Sequence, residues 1–556
     1  MNKIEFSVGQ AAGTAVAAVN ADATLTNTSG GASVFAGLVV SRRGAPGKVL
    51  AVSASTYKSV LGTPIHPRMG AAFEPYRHVE RAVKGGTGYV VRVCPSDMKV
   101  PAIVIQAPAP KGRTAKQVDK ITVKPTRAEV NAGEEIQVQG ANETQNATST
   151  SCVTFAPFET PSLQDGALAI IYIKDGDASA NRTLTLEPQE DSDLFILTLK
   201  ETQSDGSIDL LESHQLSFNP EAISDMGGTA WMPTVLEGQS TRLGAVLADN
   251  AETLAQGVEF KDIAFEGGSD GSVNKLTSAD YLKALETLED STVNFTAVLS
   301  LGCYDPTVLA ALNKLAEDVR VDMFYDAKGN QTSEAAMEEV QAHGFGGSHQ
   351  PARYYFPFSC RDTFTSMNVV YGISCDAFVA KAKGVAMIPD VGGWHFSPAG
   401  VSRGIIDRQN ITKIPNLGVV DREAFVKARL NPVTVSASGD VYIDDALTTF
   451  SKNNYLRFQH VSSLMNAIAR GFYEVAQAIK HEPDGVTLKS LTDGMTDLLE
   501  RFYAAGALVT PRDATQGTEA FVISVTQLEI DYWQVEWSVC PTGSARRIIG
   551  KPILMR

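Results

Sequence analysis

Five residues within AFEGGSDGS, Gly267-Gly268-Ser269-Asp270-Gly271, fit the G-x-S-x-G pattern that sets a nucleophilic serine on a sharp turn between a strand and a helix. The chemistry requires the strand to run straight into that helix. KDIAFEGG supplies a strand, but the next helical segment, SADYLKALETLED, opens near Ser278, several residues too late. Ser269 therefore reads as a serine in a glycine turn, with a serine hydrolase as the alternative. The other reactive residue types are no better placed. None of the eight histidines forms H-E-x-x-H, and His343 and His349, in the loop AHGFGGSHQ, would bind a metal only with distant ligands. GGTG at 85–88 lacks the Lys-Ser/Thr of a phosphate loop. Asp322, Asp326, Asp444 and Asp445 are carboxylates whose spacing demands no common site. The six cysteines have no two members within four positions, so neither a zinc nor a redox motif is present and isolated thiols are expected. No catalytic residue, metal or cofactor is expected.

The elements around these residues give an α/β, or α+β, multidomain reading. SVFAGLVV and TGYVVRVCP read as buried strands, with STYKSVLG and AFEPYRHVERAVKGG as helical pieces between them. From 101 to 160 the composition changes to a Pro-rich linker, short strands and the polar loop NETQNATSTS, which reads as a small β-rich insertion. Strand-like segments resume at 167–173 and run to LLESHQLSFNP. From about 255 strands and helices alternate: NFTAVLSL, a helix capped by Asp305 with Pro306 in its first turn, VRVDMFYD, then SEAAMEEVQAH.

Two long helices follow late in the chain. Val461, Leu464, Met465, Ile468, Phe472, Val475 and Ile479 form one apolar stripe. Leu488, Leu491, Met495, Leu498, Leu499 and Phe502 form another, with Gly506 as C-cap. Both ends of the chain read as extended arms. Ile4, Phe6 and Val8 alternate with polar residues, a strand signal without a hairpin partner. In DYWQVEWSV, Trp533, Val535, Trp537 and Val539 alternate in the same way; Pro541-Thr542-Gly543 reads as a turn, and SARRIIGKPILMR is basic, apolar and extended.

Bulk composition narrows the function classes. With 44% hydrophobic and 20% charged residues the chain reads as globular, and its 556 residues suit three to four domains of roughly 150 residues. A formal net charge of −15 argues against a general nucleic-acid binder, which needs a basic face to displace counterions. MNKIEFSVGQ lacks the apolar core of a signal peptide, and the longest apolar run, ALAIIYI, is far short of a spanning helix. Cytoplasmic synthesis without membrane insertion is expected.

SVFAGLVVSRRGAPGKVLAVSASTYKSVLG (33–62), HVERAVKGGTGYVVRV (78–93), FEGGSDGS with its following helix (265–290), and the run from VAMIPDVGGW to LERFYAAGAL (385–508) have a recognisable order and spacing. In these stretches, about half of the chain, the sequence resembles the tail sheath proteins of contractile bacteriophages and related contractile injection particles. Segment 101–160 has no counterpart in the family's core, and MIPDVGGWHFSPAGVSRG matches only in part the segment where the family often has Pro-Pro-Ser-Gly. The resemblance implies a non-enzymatic subunit that stacks in six-fold rings around an inner tail tube. The sheath contracts from a metastable extended state to drive the tube through a bacterial envelope, as in genome ejection.

The implied layout has an N-terminal strand-exchange arm (1–30) and a first part of an N-terminal sheath domain (31–100). A surface insertion (101–160) and a second β-rich part (161–250) follow. A C-terminal core with a mixed sheet and packed helices (251–540) and a C-terminal arm (541–556) complete it. Implied inter-subunit contacts are Ile4, Phe6 and Val8 from one arm and Ile548, Ile549, Ile553 and Leu554 from the other, with Trp533 and Trp537 lining the receiving sheet. Lys489 and Arg501 lie on the helix implied to face the tube. Implied partners are further copies of the chain, the inner tube protein, and baseplate and tail terminator proteins at the sheath ends, with no nucleic acid. The implied location is the virion tail, assembled in the host bacterial cytoplasm. A surface adhesion module built on 101–160 is the other alternative.

Overall fold

Val34 donates its backbone N–H to Thr296 Oγ1 at 3.0 Å across a sequence separation of 262 residues. That contact joins two halves of one sheet. The computed structural model describes residues 32–106, 149–163, 166–190, 192–203, 205–255, 257–415, 417, 421–513, 515, 517–547 and 549. Residues 32–41, 47–93 and those from 274 onward make one compact unit, and residues 42–46 and 94–273 make another.

The first unit begins with β1 (Phe35–Val39), β2 (Val49–Val52), α1 (Tyr57–Leu61), α2 (Glu74–Ala82) and β3 (Gly88–Arg92). The chain then builds the second unit: β4 (Val100–Gln106), β5 (Thr150–Phe155), β6 (Ala167–Ile173), β7 (Arg182–Pro188), β8 (Phe195–Thr202) and β9 (Ile208–Leu216), followed by α3 (Met232–Gly238), β10 (Leu243–Leu247), α4 (Ala251–Leu254) and β11 (Phe260–Ala264). Strands β10-β6-β4-β5 and β11-β7-β8-β9 form two antiparallel sheets. Ile103, Ile105 and Ile171 of one share a core with Leu184, Leu197 and Leu199 of the other. The alternation in FILTLKET is the cause: Phe195, Leu197 and Leu199 are buried while Ile196 and Thr198 are half-buried.

Back in the first unit come α5 (Ser278–Glu289), β12 (Ala297–Leu299), α6 (Pro306–Asp318), β13 (Asp322–Ala327), α7 (Ser333–Ala342), β14 (Pro351–Tyr355), β15 (Phe358–Arg361) and β16 (Asn368–Val369). Then follow α8 (Ser374–Val385), β17 (Thr412–Lys413), α9 (Arg422–Ala428), β18 (Leu430–Val435), β19 (Val441–Ile443), α10 (Gln459–Ile479), α11 (Asp484–Ala504), β20 (Phe521–Glu529) and β21 (Tyr532–Val539). The main sheet runs β19-β18-β14-β13-β12-β1-β3-β2. Its inner strands pair in parallel, and β19 and β2 close its ends antiparallel. β1, β13 and β14 are buried along their whole length, as in a sheet covered on both faces; β1 is apolar throughout, while β13 and β14 also bury Asp322, Asp326 and Arg353. The mixed α/β class expected from the sequence is observed.

Local chemistry sets the helix ends. Asp305 caps α6 by accepting from the N–H groups of Thr307 and Val308, both at 3.0 Å, and Pro306 fills the first turn. Asp326 on β13 caps a different element, accepting from Ile373 and Ser374 at the start of α8 at 2.8 and 2.9 Å. Two local readings are corrected. Leu488 is 48% exposed, because the buried i, i+4 row of α11 runs back from Leu491 to Thr487. Pro541-Thr542-Gly543 is not a turn; the segment runs extended, with Pro541 bridged to Leu508 and Thr542 N–H donating to Ala507 O at 2.9 Å.

Candidate functional site

The candidate catalytic groups do not assemble. Ser269 pairs its backbone with Lys99 through two 2.9 Å hydrogen bonds, and its Oγ accepts from Gly271 N–H at 3.2 Å. Gly268 beside it is packed so closely that a Cβ would sit 1.9 Å from Ala178 O, while Gly267 and Gly271 take φ of 77° and 70°. The glycines serve this stitched turn. No helix starts at the serine, so the nucleophile geometry is absent. Asp322 accepts from Ser463 and Asn466 on α10, Asp444 pairs with Arg422, and Asp445 pairs with Arg546. Each carboxylate serves its own structural partner. His349 is buried against Ser462 Oγ at 2.8 Å, and burial pushes its pKa down to about 3. Among the described residues no group of His, Cys, Asp and Glu could hold a metal ion, and the six cysteines are unpaired thiols. No helix among them is long and apolar enough to cross a membrane.

The feature that stands out is the two-stranded sheet at the C-terminal end of the first unit. β20 and β21 pair antiparallel from Phe521↔Val539 to Glu529↔Tyr532, with a bulge between Gln527 and Glu529. Side chains alternate across it. Ile523, Val525, Val535 and Trp537 face inward, and Ile523, Val535 and Trp537 pack with Phe472 and Ala476 of α10 and Met495 of α11. The Trp537 and Phe472 ring centroids are 4.9 Å apart. Beneath this sheet, α10 and α11 approach tightly enough that a Cβ on Gly494 would lie 2.8 Å from Val475 Cγ1. Gln527 ties the sheet to the start of α11, its Nε2 donating to Asp484 Oδ2 at 3.2 Å.

Both edges of this sheet are open among the described residues. Cys540 N–H donates to Ala520 O at 3.0 Å just beyond the paired strands. Hydrogen-bonded and non-hydrogen-bonded pairs alternate in an antiparallel ladder. Val522/Ser538, Ser524/Glu536 and Thr526/Gln534 therefore exchange bonds, while Ile523, Val525, Val535 and Trp537 turn their N–H and C=O groups toward the free edges. Two strands with two open edges are marginal alone and form a template for added strands.

Of the arm residues, Ile4, Phe6, Val8, Ile548, Ile553 and Leu554 lie outside the described residues. Trp533 and Trp537 both lie on β21. Ile549 is 83% exposed. Lys489 and Arg501 lie on α11, and each is already ion-paired, Lys489 with Asp493 and Arg501 with Asp390 at 2.5 Å. Sequence reasoning missed β20. Its alternation is blurred by the run Phe521-Val522-Ile523, and the two-residue connection Ile530-Asp531 has neither the Gly nor the Asn that marks a tight hairpin.

No family model matches the chain, and a search of curated proteins matches nothing. Solved structures do match. The sheath tail protein of Listeria innocua aligns over 93% of this chain and 94% of its own, at 13% identity and a TM-score of 0.54. The sheath tail protein of Desulfitobacterium hafniense aligns over 91% and 96% at 12% identity and a TM-score of 0.46. The sheath complex of an extracellular contractile injection system in its contracted state aligns over 48% and 73% at 16% identity and 0.38. The fold is that of a tail sheath protein, and the Listeria protein shares it along nearly the whole of both chains.

Proposed function

We propose that this chain is the structural subunit of a contractile sheath and not an enzyme. It polymerises as stacked six-fold rings around an inner tail tube, ends on baseplate and terminator proteins, and contracts to drive the tube through a bacterial envelope. The observation that carries this reading is the β20–β21 sheet, whose two edges are open among the described residues, in a fold matched to a sheath tail protein over 93% of the chain. A strand donated by a neighbour gains main-chain hydrogen bonds along such an edge and needs no core of its own. The N-terminal arm, with Ile4, Phe6 and Val8, and the C-terminal arm, with Ile548, Ile549, Ile553 and Leu554, are the strands we assign to neighbouring copies. Trp533 and Trp537 stiffen the receiving sheet from below. Chains linked in this way can slide and rotate while their strands stay paired, as a bistable assembly requires. The outer face of α11 is the surface we assign to the tube.

Negative-stain electron microscopy of the full-length chain beside a variant lacking residues 1–12 tests this. Hollow tubes from the full-length protein, lost on truncation, are expected. Tubes from both would remove the N-terminal arm from the mechanism, and monomers from both would remove self-assembly.

A further inference from the structure

A pocket of about 450 Å³ opens in the first unit between α7, α9 and the segment leading to α10. Four basic side chains line it, Arg353, Lys427, Arg429 and Arg457, and no acidic one does. In a chain with a net charge of −15, that is a marked local reversal of sign.

The four cations are not equivalent. Arg353 is 6% exposed, and its guanidinium donates to the carbonyls of Val340, Ala428 and Arg429 at the ends of α7 and α9. Helix C-termini are the negative ends of their dipoles, so Arg353 is locally balanced. Arg429 sits in the left-handed region at φ 55° and donates through Nε to Phe450 O at 3.1 Å. Its Nη1 has no acceptor among the described residues. Arg457 stacks over Phe458 at 4.7 Å, and its buried Nε has no hydrogen-bond partner. Lys427 is exposed, and Ser451 and Asn453 complete the polar part of the lining. Asp445, the carboxylate that acts on Arg429, is held by Arg546. Burial and the neighbouring Arg457, Arg546 and Arg353 press the Arg429 pKa downward, in keeping with uncompensated like charge. A buried guanidinium donor without an acceptor, as Arg457 Nε is, is costly unless a ligand supplies the oxygen.

We infer that this pocket is an oxyanion site, which takes a carboxylate or phosphate group on the free donors of Arg457 and Arg429 with Lys427 closing over it. The volume exceeds that of a single ion and accommodates an acidic side chain with its backbone. The oxyanion has two sources, an Asp or Glu of a second copy or a free polyanion.

The test titrates citrate and inorganic phosphate into the full-length chain, with sodium chloride balancing ionic strength. Wild type is compared with Lys427→Ala/Arg457→Ala, and melting temperature is the readout. Near-ultraviolet circular dichroism and melting in chloride alone confirm that the variant folds. A saturable rise in wild type is expected, with apparent affinity weakened about tenfold or more in the variant, the loss of charge-assisted bonds. An identical response in both proteins, or none beyond that of chloride, overturns the site. Sedimentation velocity then separates the sources. If a second copy fills the pocket, the variant self-associates less and citrate dissociates wild type. If a free anion fills it, self-association is the same in both proteins.

Discussion

Arg546 holds Asp445, its Nε 2.9 Å from Oδ1, across 101 residues of sequence, and its guanidinium lies over the Phe458 ring at 5.4 Å. Thr542 N–H and Cys540 O pair with Ala507 and Val509 just before it. The base of the C-terminal arm is thereby moored to its own unit, and Ile549, three residues on, stands exposed. Asp445→Asn should leave core stability nearly unchanged, since a partly exposed pair contributes about 1 kcal/mol or less. It should speed tryptic cleavage after Arg547 several-fold, read by mass spectrometry. An unchanged cleavage rate would show that the mooring lies elsewhere.

The hairpin register makes an unusual pair of proline variants informative. Val525 turns its N–H to the open edge of β20, whereas Ser524 shares ladder bonds with Glu536. Proline is tolerated where the missing N–H faces outward and disrupts a strand where it does not. Val525→Pro should fold with a melting temperature within a few degrees of wild type yet form no tubes. Ser524→Pro should lose the hairpin itself, seen as a fall in melting temperature. Normal tubes from Val525→Pro would exclude strand addition at that edge.

Helix α11 carries Lys489 and Arg501 beside the exposed acids Asp493 and Glu500. Reversing both bases to Glu removes two ion pairs and leaves the face strongly acidic. Association with purified inner tube should weaken and lose part of its salt dependence, measured by co-sedimentation across a salt series. Unchanged binding throughout the series would remove α11 from the contact.

Asp376 is the hub of a buried network, accepting from Arg81 Nε at 2.9 Å and from Arg408 Nη2 at 2.5 Å. Although burial opposes its charge, Arg408 and Arg81 hold its pKa below the ordinary value. Asp376→Asn would leave two guanidinium groups without their anion, a cost of about 3–5 kcal/mol. The urea midpoint should fall accordingly with an unchanged slope.

Acid should loosen the first unit through its histidines. Burial, reinforced by Arg320 near His349 and by Lys381 near His395 and His460, lowers the three pKa values to about 3, 4 and 3 from the ordinary 6.5. As pH falls from about 6.5 toward 3, the unfolded chain binds protons that the folded chain refuses, so stability is lost over that window. Urea midpoints at pH 7 and pH 5 should differ less in His349→Gln/His460→Gln than in wild type.

Much of this molecule was set by local sequence. The buried strands β1, β3 and β13, the cap at Asp305 and the stripe along α10 follow from runs, periods and caps that a few neighbouring residues encode. The alternation around Trp533 and Trp537 likewise marked β21. Tertiary structure alone decided what these elements meet. β1 finds β12 only after the chain has built the whole second unit, and no local pattern encodes a partner 262 residues away. Asp322 and Asp326 looked like candidate chemistry, yet packing turns one toward α10 and the other toward the start of α8, where each satisfies buried donors. Leu488 and Leu491 share a helix and a residue type. Only the line along which α11 meets its neighbours buries one and exposes the other, because burial is a property of the facing surface.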